Sequence, residues 1–173
     1  NIKKLVAYSS IAHIGLMCAA LFAANQVSIQ GVMMQMFNHG INIIGMWIVA
    51  DLLEKQTGVK EISKLSGVAN KAPVLTILFV IIALANIALP LTNAFTGEFL
   101  MFSGLYNFNV WYAVFAGIGI ILAAVYTLNM VQKVFYGNSN SVAESVKDIS
   151  WNEQFILSAI VCLLFIIVVY PYS

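Results

Sequence analysis

No arginine occurs anywhere in this chain, and charged side chains make up only 9% of its 173 residues. That scarcity excludes a nucleic-acid partner, because neutralising a phosphate backbone takes clustered basic side chains, and here eight lysines are nearly balanced by seven acids. Cysteine is scarce too: Cys18 and Cys162 sit in separate apolar runs without any paired spacing, so neither a disulfide framework nor a zinc or iron–sulfur site is expected. Internal repeats and low-complexity tracts are absent from the sequence. So are an initiator Met and a signal-peptide pattern: the chain starts at Asn1 with Lys3 and Lys4 already abutting an apolar run, as a piece of a longer chain would.

What fills the sequence instead is apolar. Hydrophobic residues make up 61% of it, whereas a soluble domain carries about 25% charged residues. Lipid is the solvent this composition fits. A hydrocarbon core about 30 Å thick takes roughly 20 helical residues. The runs Leu5 to Ala24, Ile29 to Ala50, Trp111 to Gln132 and Phe155 to Tyr170 read as spans. Residues 73–105 are apolar but too long for one straight span, and Leu89-Pro90-Leu91-Thr92-Asn93 interrupts them. Pro90 lacks a backbone donor and disfavours helix at Leu89, which predicts two half-helices with an unwound joint, the second capped by Thr92 or Asn93. The fold class is therefore an all-α integral membrane protein of about five helices, the third discontinuous, forming a single domain over residues 1–173.

Threading these spans through a membrane puts all eight lysines at one face: Lys3 and Lys4, then Lys55, Lys60, Lys64 and Lys71, then Lys133 and Lys147. Lysine-rich short loops stay cytoplasmic. The connections around Asn25 to Ser28 and Tyr106 to Val110 carry no charge and lie, with the C-terminus at Tyr172, on the opposite, positive side. The connections Asp51 to Ala72 and Gly137 to Ser150 read as ordinary solvated loops. Trp111, Tyr112, Tyr170 and Tyr172 read as interfacial belt residues, and Gly117 and Gly119 as sites of close helix approach.

Polar residues inside the spans are the candidates for function. Glu98 follows the break, in Phe95-Thr96-Gly97-Glu98-Phe99. A carboxylate at membrane depth is costly to keep charged, which suits it to loading and releasing a proton. Capping the second half-helix near its positive end is a compatible structural role. On the second span Gln35, Asn38, His39 and Asn42 share one face at i, i+3, i+4 and i+7. His39 suits a relay beside a carboxylate, since histidine titrates near neutrality. On the first span Ser9 and His13 also share a face. The structural alternative for both stripes is interhelical hydrogen bonding that glues the bundle. Asn86, one turn before Pro90, is placed to satisfy carbonyls freed at the break. Tyr126, Asn129 and Gln132 share a face beside Lys133, which either snorkels or contributes to a proton path.

Three strings in order carry a resemblance: Ile2-Lys3-Lys4-Leu5-Val6-Ala7-Tyr8-Ser9-Ser10-Ile11-Ala12-His13-Ile14-Gly15, Gln35-Met36-Phe37-Asn38-His39-Gly40, and Leu89-Pro90-Leu91-Thr92-Asn93-Ala94-Phe95-Thr96-Gly97-Glu98-Phe99. Together they resemble the C-terminal part of the M-type antiporter-like subunits of respiratory complex I, over nearly the whole chain. The glutamate after Gly97 points to the M type, because the L and N types typically carry lysine there. One departure stands out: Leu91-Thr92-Asn93-Ala94 replaces the glycine-containing stretch usual after the family's proline.

The resemblance implies the second half of an inverted-repeat fold, with Glu98 as the terminal proton-release carboxylate and His13 and His39 as relay residues on a hydrated axis supported by Gln35, Asn38, Asn42, Asn86 and Lys133. It further implies a proton-translocating subunit of an NADH:quinone oxidoreductase in a bacterial inner membrane, beside L- and N-type subunits. No cofactor or metal would be bound by this chain; NADH, FMN, iron–sulfur clusters and quinone would lie in partner subunits. Two other classes fit the same pattern. One is a stand-alone cation/proton antiporter or a membrane-bound hydrogenase subunit, which neighbouring genes would reveal. The other is a structural anchor, which would tolerate loss of the Glu98 carboxylate.

Overall fold

The computed structural model describes residues 1–169. Its α-helices are α1 (Ile2–Ala23), α2 (Gln26–Thr57), α3 (Pro73–Asn86), α4 (Asn93–Phe108), α5 (Val110–Phe135) and α6 (Trp151–Val169), with single 3₁₀ turns at Ile62–Lys64, Val68–Asn70 and Ala143–Ser145. Among the described residues there is no strand. Four of the helices, α1, α2, α5 and α6, are long and apolar enough to cross a membrane. The shorter α3 and α4 follow one another as the halves of a broken span. The chain is thus an all-helical, multi-pass membrane protein whose third span is discontinuous, as the sequence predicts. Tyr170 and Tyr172 lie outside the described residues. Trp111 and Tyr112 are exposed at the start of α5.

Asparagine starts three of the helices. Asn1 accepts from the Lys4 amide, Asn25 from Ser28 and Asn109 from Trp111, each satisfying a donor that the first helical turn leaves free. At α3 the residue in that position is Ala72, which has nothing to offer. The cap comes instead from Asp148, distant in sequence, whose carboxylate accepts from Val74 N and Leu75 N, both at 3.0 Å. A negative group is favoured at this helix end. Asp148→Ala should therefore lower stability by about 1–2 kcal/mol, read as a lower melting temperature of the detergent-purified protein, with Asp148→Asn intermediate; an unchanged melting point would refute the capping role.

Two of the expected loops are more than solvated connections. The second helix runs past Ala50 to Thr57, where Gly58 ends it at φ +68°. Its extra turns carry Asp51 and Glu54, which bind Lys3 at 2.7 and 3.1 Å and so tie the start of α1 to the end of α2. Beyond it, Leu65, Val68, Ala72, Ala143 and Val146 are buried. The two connections lock together where Ser139 Oγ donates to Gly67 O at 3.0 Å and Asn140 Nδ2 to Lys64 O at 2.7 Å. Apolar side chains in short turns thus cover one end of the bundle.

The break is built from backbone. At the end of α3, Leu89 N–H bonds Leu84 O at 3.2 Å and Ala88 N–H bonds Ala85 O at 3.1 Å. With Ala88 at φ +54°, this is a Schellman ending, a geometry that usually recruits glycine. Pro90 and Leu91 then form the centre of a turn closed by Thr92 N–H to Leu89 O at 3.0 Å. Leu91 takes the φ of +77° that glycine ordinarily supplies in such turns, so the turn forms here at the cost of backbone strain. Because this ending satisfies the freed carbonyls, Asn86 is not needed there and reaches α1 instead. Thr92 occupies the cap position of α4, but its hydroxyl donates back to Leu89 O at 2.6 Å rather than capping the helix.

Buried residues fall into layers along the bundle. At the lysine-bearing end an apolar cluster includes Val6, Met46, Leu53, Leu75, Phe79 and Phe135. At the other end a smaller cluster holds Leu16, Met17, Ala20, Val32, Met101 and Leu105. Between them on α1, α2 and the broken span lie Ser9, His13, Gln35, Asn38, His39, Asn42, Asn86, Asn93 and Glu98, all buried.

Candidate functional site

Glu98 reaches this layer from α4, and glycines make the approach possible. A Cβ on Gly97 would stand 2.8 Å from Gln35 Oε1 and 3.2 Å from Gln35 N, so only glycine lets α4 lie this close to α2. Gly31 and Gly104 continue the contact: a Cβ at Gly31 would meet Met101 N at 2.7 Å, and one at Gly104 would meet Ser28 Cβ at 2.5 Å. Register is fixed by a reciprocal clamp in which Asn38 Nδ2 donates to Asn93 O at 2.8 Å and Asn93 Nδ2 to Asn38 O at 3.3 Å.

Held in this way, Glu98 is 5% exposed. Its Oε1 lies 2.8 Å from His13 Nδ1 and accepts from Gln35 Nε2 at 3.2 Å. The His39 ring sits 5.0 Å from that of His13, centroid to centroid. His39 therefore meets the carboxylate through His13 and not directly. A glutamate and a histidine at 2.8 Å can share one proton in either of two arrangements, as an ion pair or as neutral acid and neutral imidazole.

Several polar atoms of the layer have no partner within the protein: His13 Nε2, Gln35 Oε1, Asn38 Oδ1, His39 Nε2, both amide atoms of Asn42, Asn86 Oδ1 and Asn93 Oδ1. Asn86 Nδ2 donates to Ser9 Oγ at 3.1 Å. Lys133 lies apart from Glu98: it is exposed and lines an open cavity with Asn1, Glu61, Tyr126 and Asn129 at the lysine-bearing end. That position fits snorkelling. Gly117 and Gly119 allow no close approach, since a Cβ would find only Phe102 at 3.9 Å in the first case and nothing within 4 Å in the second. The glycines that let α2 and α4 pack closely are Gly31, Gly97 and Gly104, which the sequence pattern did not single out. Their signal was small residues a turn or two apart, Ser28 with Gly31 and Gly97 with Gly104.

An all-helical membrane bundle with a discontinuous third span places the chain in the antiporter-like class of membrane proteins. Residues 1–124 match the family described as NADH:quinone oxidoreductase/Mrp antiporter, TM. The chain belongs to that family. It is similar to the NADH-quinone oxidoreductase subunit M of Rhodobacter capsulatus, 35% identical over 99% of this chain and 34% of that protein, and to that of Rickettsia prowazekii, 40% identical over 86% and 30%. Its fold superposes on a chain of respiratory complex I from Thermus thermophilus with a TM-score of 0.89 at 30% identity, covering 96% of this chain and 35% of that one. A chain of the Mrp complex from a Dietzia species shares the fold alone, with a TM-score of 0.85 at 13% identity over 96% and 39%. The chain spans about a third of the length of the curated relatives it matches.

Proposed function

We propose that this chain carries the proton-release half of an M-type antiporter-like subunit in an NADH:quinone oxidoreductase, and that Glu98 is the group that releases the proton. The observation that carries the reading is the buried contact of Glu98 Oε1 with His13 Nδ1 at 2.8 Å, with the His39 ring tilted against that of His13 at 5.0 Å. A proton reaching the histidine pair passes to Glu98 across one hydrogen bond. Gln35, bound to the same oxygen, holds the carboxyl in place for the transfer. The unpartnered amide and imidazole atoms of Asn38, Asn42, Asn86 and His39 suit a hydrated axis, because buried polar groups without protein partners bind ordered water. A charge change on a neighbouring buried group alters the affinity of Glu98 for its proton, which leaves when access opens to the uncharged face.

On this reading the redox chemistry and its NADH, FMN, iron–sulfur and quinone components belong to partner subunits, and L- and N-type subunits flank this one in a bacterial inner membrane. The lysine-bearing loops face the cytoplasm. A stand-alone cation/proton antiporter would use the same broken helix and carboxylate; the 35% and 40% identities to subunit M relatives favour the complex I reading. The test is NADH-driven proton pumping by the full-length protein in its complex, measured in vesicles with a pH-sensitive dye. Pumping that Glu98→Gln removes supports the proposal; pumping that Glu98→Gln leaves unchanged overturns it.

A further inference from the structure

Toward the charge-free end the polar layer is closed, and the same three helices that build the layer supply the closure. Met101 and Leu105 lie three and seven residues beyond Glu98 on α4, Leu16, Met17 and Ala20 lie three, four and seven beyond His13 on α1, and Val32 precedes Gln35 by three on α2. Residues at these spacings share a helix face, so the faces that carry Glu98, His13 and Gln35 all become apolar within one helical turn. The six residues belong to one packed cluster, and none is more than 6% exposed. Ser28, the buried polar residue beside them, is already satisfied, its hydroxyl donating to Asn25 O at 2.9 Å. From Glu98 to the end of α4 at Phe108 the helix advances about 15 Å, and the apolar cluster occupies that interval.

One seam of this closure is fixed and another is free to part. Helices α2 and α4 meet backbone to backbone at Gly31 and Gly104 and are tied by the Asn38–Asn93 clamp, so they move as a unit. On α1 the one glycine, Gly15, packs against nothing within 4 Å, and the hydrogen bond that joins α1 to α4 is the His13–Glu98 contact itself. Met17 on α1 and Met101 on α4 are unbranched and polarizable, the kind of side chain that repacks readily. The apolar cluster at the lysine-bearing end is built differently, being larger and holding the stacked rings of Phe79 and Phe135 at 4.7 Å.

We propose that Leu16, Met17, Met101 and Leu105 form the exit gate for the proton of Glu98, opening along the seam between α1 and α4. Closed, the cluster keeps water from the carboxyl, because charge is costly in apolar surroundings and a hydrophobic constriction conducts only when it is wetted. Open, it admits water, which takes the proton from the Glu98 carboxyl and leaves the carboxylate beside His13. Closure then restricts reprotonation to the histidine side, so the gate makes the transfer one-way. The inference rests on the reading that Glu98 releases the proton, and it adds which residues control the release.

The experiment uses the full-length subunit in its complex, reconstituted in vesicles, with assembly checked on native gels. Two quantities are read: the decay of an imposed pH gradient without NADH, and the protons pumped per NADH oxidised. Met101→Gln, which adds a polar amide at nearly unchanged volume, should speed the decay several-fold and lower the pumping yield. Leu105→Asn should do the same, and it carries the comparison where Met101→Gln reduces assembly. Met101→Leu, which stays apolar, should behave as wild type. Adding Glu98→Gln to either polar variant should make the vesicles tight again, because the leak runs through the carboxyl, whereas a mere packing defect would leak regardless. Wild-type decay and yield in the assembled polar variants would overturn the gate, and so would a leak that Glu98→Gln does not remove. Normal NADH-driven pumping by Glu98→Gln alone would instead remove the reading on which the gate rests.

Discussion

Replacing Glu98 with glutamine is expected to stop coupled proton translocation while leaving the protein folded and assembled. Glutamine has the same shape, and its amide oxygen can still accept from Gln35 Nε2 and face His13 Nδ1, the contacts now made at 3.2 and 2.8 Å. Packing and polar satisfaction survive, and only the exchangeable proton is lost. A positioned acid or base contributes roughly 10²- to 10⁴-fold to a proton-transfer step, so pumping should fall to background. Glu98→Asp keeps the carboxyl but, one methylene shorter, withdraws it from His13 and should pump slowly. Glu98→Ala behaves differently again. It strands buried groups on Gln35 and His13, each at a cost of about 1–3 kcal/mol, and should reduce the amount of assembled protein as well as its activity. Pumping assays in vesicles, normalised to assembled complex on native gels, separate the three outcomes.

Gly104→Val should be the most damaging change in packing. A Cβ at Gly104 would lie 2.5 Å from Ser28 Cβ, 2.7 Å from Ser28 N and 2.8 Å from Ser28 Cα. Two of these atoms are backbone and cannot turn aside, so α4 must move away from α2. That movement strains the Asn25 Nδ2 bond to Gly104 O, now 2.8 Å, and it acts on the helix that carries Glu98. Overpacking of this kind costs about 1–3 kcal/mol and sometimes more, and the α2–α4 contact offers no room to relax. Even Gly104→Ala should lower the melting temperature in detergent measurably. Gly119→Val is the matched control, since a Cβ there meets nothing within 4 Å, and it should leave stability close to wild type. Equal melting points for Gly104→Val and Gly119→Val would refute the close-packing assignment.

Much of this protein was legible in its sequence, and for identifiable reasons. Spans are legible because a bilayer demands about 20 apolar residues at a time, and the observed helices coincide with the apolar runs to within a few residues, apart from the extra turns of α2. The break is legible because Pro90 cannot donate a hydrogen bond. The burial of Ser9, His13, Gln35, Asn38, His39, Asn42 and Glu98 follows from helical periodicity, since polar side chains on an apolar helix turn inward. What stayed hidden were contacts between residues distant in sequence. Periodicity assigns a residue to a face but does not say which face it meets.

The sequence by itself determined the solvent, the spans, the break and the polar stripes, because lipid penalises every unsatisfied backbone group and every unpaired charge one helix at a time. Only the tertiary structure decided that His13 and not His39 touches Glu98, that Asn86 serves Ser9 and not the break, and that Asp148 caps α3. It alone showed which glycines bring helices together. These outcomes depend on the rotation and register of one helix against another, and those are set by side-chain volumes meeting across the interface.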